Sequence, residues 1–356
     1  MFGSMSVPLL LGCFVLAAGA VWAAGGALSR TVDVLSKRLH LGSALGGLIL
    51  LAVATNLPEI AITVSAALQR HLDIAIGNLL GGIGVQTLVL ALLDFATRRE
   101  RLPLSARAGS LEPVLEGALV LGVLAVTIMG TQLPGGLVWH GLAAGGTAVA
   151  LLWVVGVWLL GRARGGLPWQ ARELDGGSPP SSPPQPEAGT PSQGGRPAPG
   201  TARAALIFGG AALVTLVGGV VLEGAGEALA DHFGLSGVLF GATVLAAATA
   251  LPEISTGLSA IRAGDEDLAI SDIFGGNAFL PVLFLPAALL SGTAVLPQAQ
   301  APDLYLAALG ALLTAAYLYG LVFRPRRRVL GLGVDSLAVV TLYLVGLGGL
   351  ALLTRG

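Results

Sequence analysis

The stretch Ala54-Thr55-Asn56-Leu57-Pro58-Glu59-Ile60 returns 194 positions later as Ala248-Thr249-Ala250-Leu251-Pro252-Glu253-Ile254. In both copies a carboxylate follows a helix-breaking proline inside a long apolar run. An ionisable side chain at membrane depth costs several kcal/mol unless it faces protein or water, so such residues mark ion or substrate paths. Laid out without a gap, 41–86 and 235–280 agree at 18 of 46 positions. A repeat this widely separated is too long for a solenoid unit and fits the repeated half of a membrane transporter.

The surrounding composition agrees. The 356 residues are 54% hydrophobic and 11% charged, far from the roughly 25% charged profile of soluble domains. Runs of about 20 apolar residues read as spanning helices, and ten occur: 8–28, 41–68, 72–96, 112–131, 137–161, 204–224, 235–261, 268–291, 302–323 and 333–353. The first has no basic segment before it, so it is expected to be a retained helix and not a cleaved leader. With the N-terminus outside, 17 of the 19 Lys and Arg residues fall in cytoplasmic loops and only Arg70 and Arg355 outside, the bias that orients membrane proteins. A multi-pass protein of the plasma membrane, with both termini outside, is the expectation.

A net charge of −1 gives no sign of nucleic-acid binding, and the lone Cys13 can form no internal disulfide. The four histidines, His40, His71, His140 and His232, sit near span ends without ligand spacing and read as loop or interfacial residues. The acidic loop Asp265-Glu266-Asp267 reads as solvated, and Ser65 and Ser259 as helix-packing hydroxyls.

Between the fifth and sixth runs the character changes. Gly176–Gly200 holds 8 Pro, 6 Gly and 4 Ser in 25 residues, a composition that cannot pack a core. The expected organisation is a first five-helix repeat over 1–161, a disordered cytoplasmic Gly/Pro/Ser linker over 162–203 and a second five-helix repeat over 204–356. Because five crossings is an odd number, the second half enters from the opposite side. The fold class is therefore an all-α membrane protein of about ten transmembrane helices in two inverted-topology repeats.

Proline removes one backbone hydrogen bond and disfavours helix in the residue before it, so the turns before Pro58 and Pro252 should open. Carbonyls freed at membrane depth are tolerated where they line a cavity or bind a cation. Ala52, Ala54 and Thr55, with Ala246, Ala248 and Thr249, are placed to present such oxygens beside Glu59 and Glu253. The second helix of each repeat adds Gly77-Asn78 opposite Ser271-Asp272, followed by Gly81-Gly82 and Gly275-Gly276, glycines that allow close helix approach. Glu59, Glu253, Asp272 and Asn78 then form three carboxylates and an amide. An all-oxygen set suits calcium or sodium, not zinc or copper. The alternative, that these residues only bond helices together, asks three buried carboxylates to supply contacts of about 1 kcal/mol each.

With these residues in place, the chain resembles the sodium/calcium exchangers of the cation/calcium antiporter superfamily, prokaryotic type. Their two repeats carry Gly-Thr-Ser-x-Pro-Glu and, about twenty residues on, Gly-Asn-x-x-Gly-Ser-Asn or Gly-Asp-x-x-Gly-Ser-Asn. Thr55-Asn56-Leu57-Pro58-Glu59 and Gly77-Asn78-Leu79-Leu80-Gly81 fit the first repeat; Thr249-Ala250-Leu251-Pro252-Glu253 and Asp272-Ile273-Phe274-Gly275-Gly276-Asn277 fit the second. The resemblance implies Glu59, Glu253, Asn78 and Asp272 as central ion ligands, adjoined by Thr55 and Thr249. It also implies electrically driven antiport of calcium against sodium by alternating access. The chain departs at three places: Ala54 and Ala248 replace the family glycine, Asn56 and Ala250 the serine, and Ile83 the last asparagine of the first repeat. In the family the serine region helps form the sodium sites, so Asn56 and Ala250 bear on sodium coupling more than on calcium.

The expected activity is calcium export against sodium, with calcium/proton antiport as the alternative. Calcium and sodium ions and the lipid bilayer are the expected partners. The expected functional unit is a monomer with no cofactor beyond the transported calcium and sodium ions or protons. An enzyme is not expected: Asp272 has no aspartate counterpart, and no Ser-His or His-Glu-x-x-His arrangement occurs.

Overall fold

The computed structural model describes residues 2–38, 52–139, 142–163, 201–235 and 237–354. Residues 164–200 of the expected linker and the first part of the second span, with His40 and His140, lie outside the described residues, while 162–163 and 201–203 are helical. Among the described residues the ten longest helices carry the fold: α1 (Val7–Arg38), α2 (Leu57–Gln69), α3 (Leu72–Ala96), α4 (Glu112–Thr131), α5 (Ala144–Ala163), α6 (Thr201–Phe233), α7 (Leu251–Arg262), α8 (Glu266–Phe279), α9 (Ala301–Phe323) and α10 (Val334–Leu353). Among the described residues nine helical stretches are long and apolar enough to cross a membrane, and α2 is a shorter apolar helix.

Two differences from the hydropathy reading have local causes. Helices α1 and α6 run past their apolar runs, to Arg38 and Phe233, because a helix continues through polar turns that a hydropathy window leaves out. The fifth run begins as a β-hairpin of two-residue strands, Val138–Trp139 with Leu142–Ala143, and a second such hairpin, Arg328–Val329 with Leu332–Gly333, leads into the tenth. The second hairpin turns through Leu330 (φ 55°) and Gly331 (φ 86°), the left-handed pair that a tight hairpin needs.

The packing partners come in matched pairs. Helix α1 packs on α7 as α6 packs on α2, α4 on α8 as α9 on α3, and α4 on α5 as α9 on α10. Each hairpin immediately precedes the fifth helix of its half. Where α1 crosses α6, Val21 and Ala17 meet Gly218 while Phe14 meets Gly226, so the first helices of the two halves run antiparallel. This is the inverted relationship expected of two five-helix halves.

The apolar interior is divided. One cluster joins α3, α8 and α9; a second joins α1 and α6 with Phe240 and Leu245. Close approach at the centre depends on glycine. A Cβ on Gly77 would stand 2.9 Å from Val238 Cα, and one on Gly81 would overlap Ala242, so α3 lies directly against the segment that leads into α7.

The acidic loop is not simply solvated. Asp265 accepts the Leu268 amide at 2.9 Å and caps α8, Glu266 pairs with Arg107 at 2.7 Å, and Asp267 accepts the Gly109 amide at 2.9 Å. Of three carboxylates adjacent in sequence, one caps α8 and two tie it to the approach of α4, a use that composition alone does not reveal. At the same end Asp94, fully buried, accepts the amides of Leu104 and Gly333 at 2.9 and 2.6 Å and pairs with Arg328 at 3.1 Å.

Candidate functional site

Pro58 and Pro252 lie in the first two positions of α2 and α7, where a missing N–H costs nothing. The break before each is narrow. Asn56 (φ −89°, ψ 16°) and Ala250 (φ −77°, ψ 0°) each interrupt the helix for one residue, after a π-turn over Gly241–Leu245 in the second copy. The carbonyl of Ala52 accepts from the Asn56 amide at 3.2 Å and from Asn56 Nδ2 at 2.7 Å, and that of Ala246 from the Ala250 amide at 3.0 Å and from Thr249 Oγ1 at 3.2 Å. These two oxygens are therefore engaged locally, because ψ near 0° kinks the chain without unwinding it.

Glu59 and Glu253 stand in the first turns of their helices, at the positive end of the helix dipole, and are 1% and 0% exposed. The Thr249 hydroxyl and the Gln86 amide hydrogen-bond Glu59. Gln86 Nε2 also donates to Glu253 Oε1 at 3.4 Å and to Asn56 Oδ1 at 3.3 Å. Asp272, on α8, receives the hydroxyls of Thr55 and Thr256. Each motif threonine thus reaches a carboxylate of the opposite half. Glu253 faces both Glu59 and Asp272 at Coulombic range.

Thr55, Asn56, Glu59, Thr249, Glu253 and Asp272 therefore meet in one buried cluster. Asn78 is fully buried on α3, with its backbone against Gly241, and no hydrogen bond joins its amide to that cluster. Ala52 and Ala246 line the site through their local turns. Two further members carry no repeat signature: Gln86 lies opposite Leu280 in the duplication, and Thr256 opposite Ile62. The signals available for them are spacing alone, since Gln86 falls two turns after Asn78 and Thr256 three residues after Glu253, each on the same helix face. Asn277 turns away, donating to Thr87 Oγ1 at 3.1 Å on α3.

Five side-chain oxygens of the site residues have no hydrogen-bond partner: Glu59 Oε2, Asn78 Oδ1, Gln86 Oε1, Glu253 Oε2 and Asp272 Oδ1. Hydrogen bonds to charged groups contribute roughly 1.5–3 kcal/mol each, against a burial cost of several kcal/mol per carboxylate. The threonine and glutamine donors offset part of that cost. Three buried carboxylates, with Glu253 facing the other two, need a cation or bound protons for the rest, and an all-oxygen donor set fits a hard cation.

The chain and its fold match known membrane proteins. The family model described as "Sodium/calcium exchanger protein" matches residues 9–161 and 203–350. Inner membrane protein YrbG of Escherichia coli (strain K12) is 26% identical over 262 residues, 73% of this chain and 74% of YrbG. CaxA of Alkalimonas amylolytica is 28% identical over 250 residues, 69% of each chain. Among solved structures, the sodium-calcium exchanger NCX_Mj soaked with 100 mM Na+ and 10 mM Sr2+ superposes with TM-score 0.58 at 17% identity, covering 96% of this chain and 99% of the other. Native YfkE superposes at 0.63 and 15% identity, covering 97% and 96%. At these identities the two structures speak for the fold alone.

Proposed function

Because the chain belongs to the sodium/calcium exchanger protein family, and is therefore a multi-pass membrane cation antiporter, we propose that it exports calcium against sodium by alternating access. Glu59, Glu253, Asp272 and Asn78 are the ligands in this reading, with Thr55, Thr249, Asn56 and the carbonyls of Ala52 and Ala246 around them. The observation that carries it is the set of partnerless oxygens on buried side chains from both halves. A calcium ion entering from either face meets up to three negative charges and six or more oxygens, the number and type calcium prefers. Two sodium ions or more, or protons, neutralise the same carboxylates on the return step. The linker over 162–203 is cytoplasmic in this reading, both termini are outside, and the monomer is the functional unit.

A second reading has its own observation. Asn56 spends Nδ2 on Ala52 and Oδ1 on Gln86, and Ala250 offers no side-chain oxygen. The two positions where the family resemblance places serine thus contribute little to a sodium shell, which favours protons as counter-ion. Calcium uptake by purified protein in liposomes, driven in turn by an imposed sodium gradient and an imposed pH gradient, separates the two. Uptake driven by sodium and indifferent to the pH gradient supports exchange against sodium. The opposite pattern removes sodium from the account.

A further inference from the structure

At the other end of α2 from the proline, the fold assembles a group that the candidate transport site does not use. His71, between α2 and α3, faces Glu223 and Glu227 on α6, residues more than 150 positions later in the chain. Its Nδ1 stands 3.1 Å from Glu227 Oε1 and 3.7 Å from Glu223 Oε1, and the three ligand atoms all lie within 4.8 Å of one another. Ligands held at ~2.0–2.1 Å around a tetrahedral zinc ion stand about 3.3 Å apart, and the two histidine distances bracket that value.

The triad is also built. Glu223 is 1% exposed, and its carboxylate is oriented by Ser65 Oγ at 3.0 Å and by Gln69 Nε2 at 3.3 and 3.2 Å, while Gln69 also donates to Ser65 at 3.0 Å. Donors that fix a carboxylate from behind are the usual outer shell of a metal ligand. The backbone of His71 is pinned by its amide to Ala66 O at 2.9 Å. His71 and Glu227 keep 36% and 32% of their side chains accessible, which leaves a path from solvent. Glu227 further faces Asp231 and Asp73, so the approach is negatively charged.

We infer that His71, Glu223 and Glu227 form a binding site for a zinc-class divalent transition metal, distinct from the transported ion. One imidazole nitrogen and two carboxylate oxygens make a small mixed set that suits zinc and falls short of the six to eight oxygens calcium takes. Water fills the fourth position. The ion joins α6, from the α1–α6 layer, to the α2–α3 turn, and so straps the two layers of the bundle together at one end. The other described histidine, His232, is occupied differently, with Nδ1 at 3.0 Å from Ala228 O.

Zinc chloride titrated calorimetrically into the purified full chain tests this. One saturable zinc per chain is expected in the parent, in the Glu59→Gln/Glu253→Gln double variant and in His232→Ala. Binding at least tenfold weaker is expected in His71→Ala and, independently, in Glu227→Gln, each compared at a zinc-free melting temperature equal to the parent's. Cobalt chloride gives a second reading, since a tetrahedral visible band should appear in the parent and be lost in His71→Ala. Absence of saturable zinc binding, binding indifferent to both His71→Ala and Glu227→Gln, or loss confined to the glutamate double variant overturns the inference.

Discussion

Gln86 Nε2 lies 3.4 Å from Oε1 of Glu253, so an amide from the first half of the chain orients a carboxylate of the second. The same nitrogen reaches Asn56 Oδ1 and Glu59, which makes Gln86 the donor shared by both glutamates. Replacing it with leucine removes those bonds and leaves buried acceptors unmet, at roughly 1–3 kcal/mol. Gln86→Leu should weaken calcium binding by about tenfold or more, read as a shift in the calcium dependence of thermal stabilisation. An unshifted dependence would show that Gln86 is only packing.

Asp272 receives two hydroxyls, from Thr55 across the repeat boundary and from Thr256 on α7. Thr55→Val and Thr256→Val keep the shape and remove one donor each, at about 1 kcal/mol per bond. Each should lower apparent calcium affinity several-fold in transport assays, and the double variant by more than either. If only Thr55→Val matters, Asp272 is held from the first half alone.

Gly81 meets the backbone of Ala242, whereas a Cβ on Gly82 would come no closer than 3.4 Å to Leu280 Cδ1. Gly81→Val should push α3 away from the segment leading into α7 and cost about 1–3 kcal/mol of stability, while Gly82→Ala should be nearly neutral. Thermal unfolding of the two purified variants makes the comparison. Equal melting temperatures would contradict the close approach at Gly81.

Asp94 is fully buried and Arg328 is 13% exposed, so screening by water is slight. Removing one member of such a pair costs about 3–5 kcal/mol. Asp94→Ala and Arg328→Met should therefore each lower stability strongly in denaturant unfolding, since Asp94 also holds the amides of Leu104 and Gly333 and Arg328 the carbonyls of Leu102, Thr97 and Gly331. A parent-like unfolding midpoint in either variant would contradict this account of the pair.

Much of the architecture was legible because the membrane imposes simple rules. Apolar length marked the spans, and the odd number of spans per half their inversion. The hairpin before α5 escaped, since Val138 is as apolar as helix residues, and the one before α10 falls in the stretch between the ninth and tenth runs. Arg328 reads in the sequence as one more orienting charge, and only the fold brings it to Asp94. At the candidate site, duplication singles out Glu59, Glu253 and the Asn78/Asp272 pair, because both copies had to keep polar groups in apolar helices. Gln86 and Thr256 stand where the copies differ, so comparison of the halves passes over them. His71 shows no ligand spacing along the chain because its partners Glu223 and Glu227 come from the other half.

The central claim is that one ion is held by carboxylates from both halves at once. Calcium uptake into liposomes containing the parent, Glu59→Gln or Glu253→Gln, each confirmed folded by its melting temperature, tests it most directly. The account predicts that uptake falls at least a hundredfold in both variants and that calcium no longer raises the melting temperature of either. Parent-like uptake in either variant would contradict it, because the two halves would then not share a site.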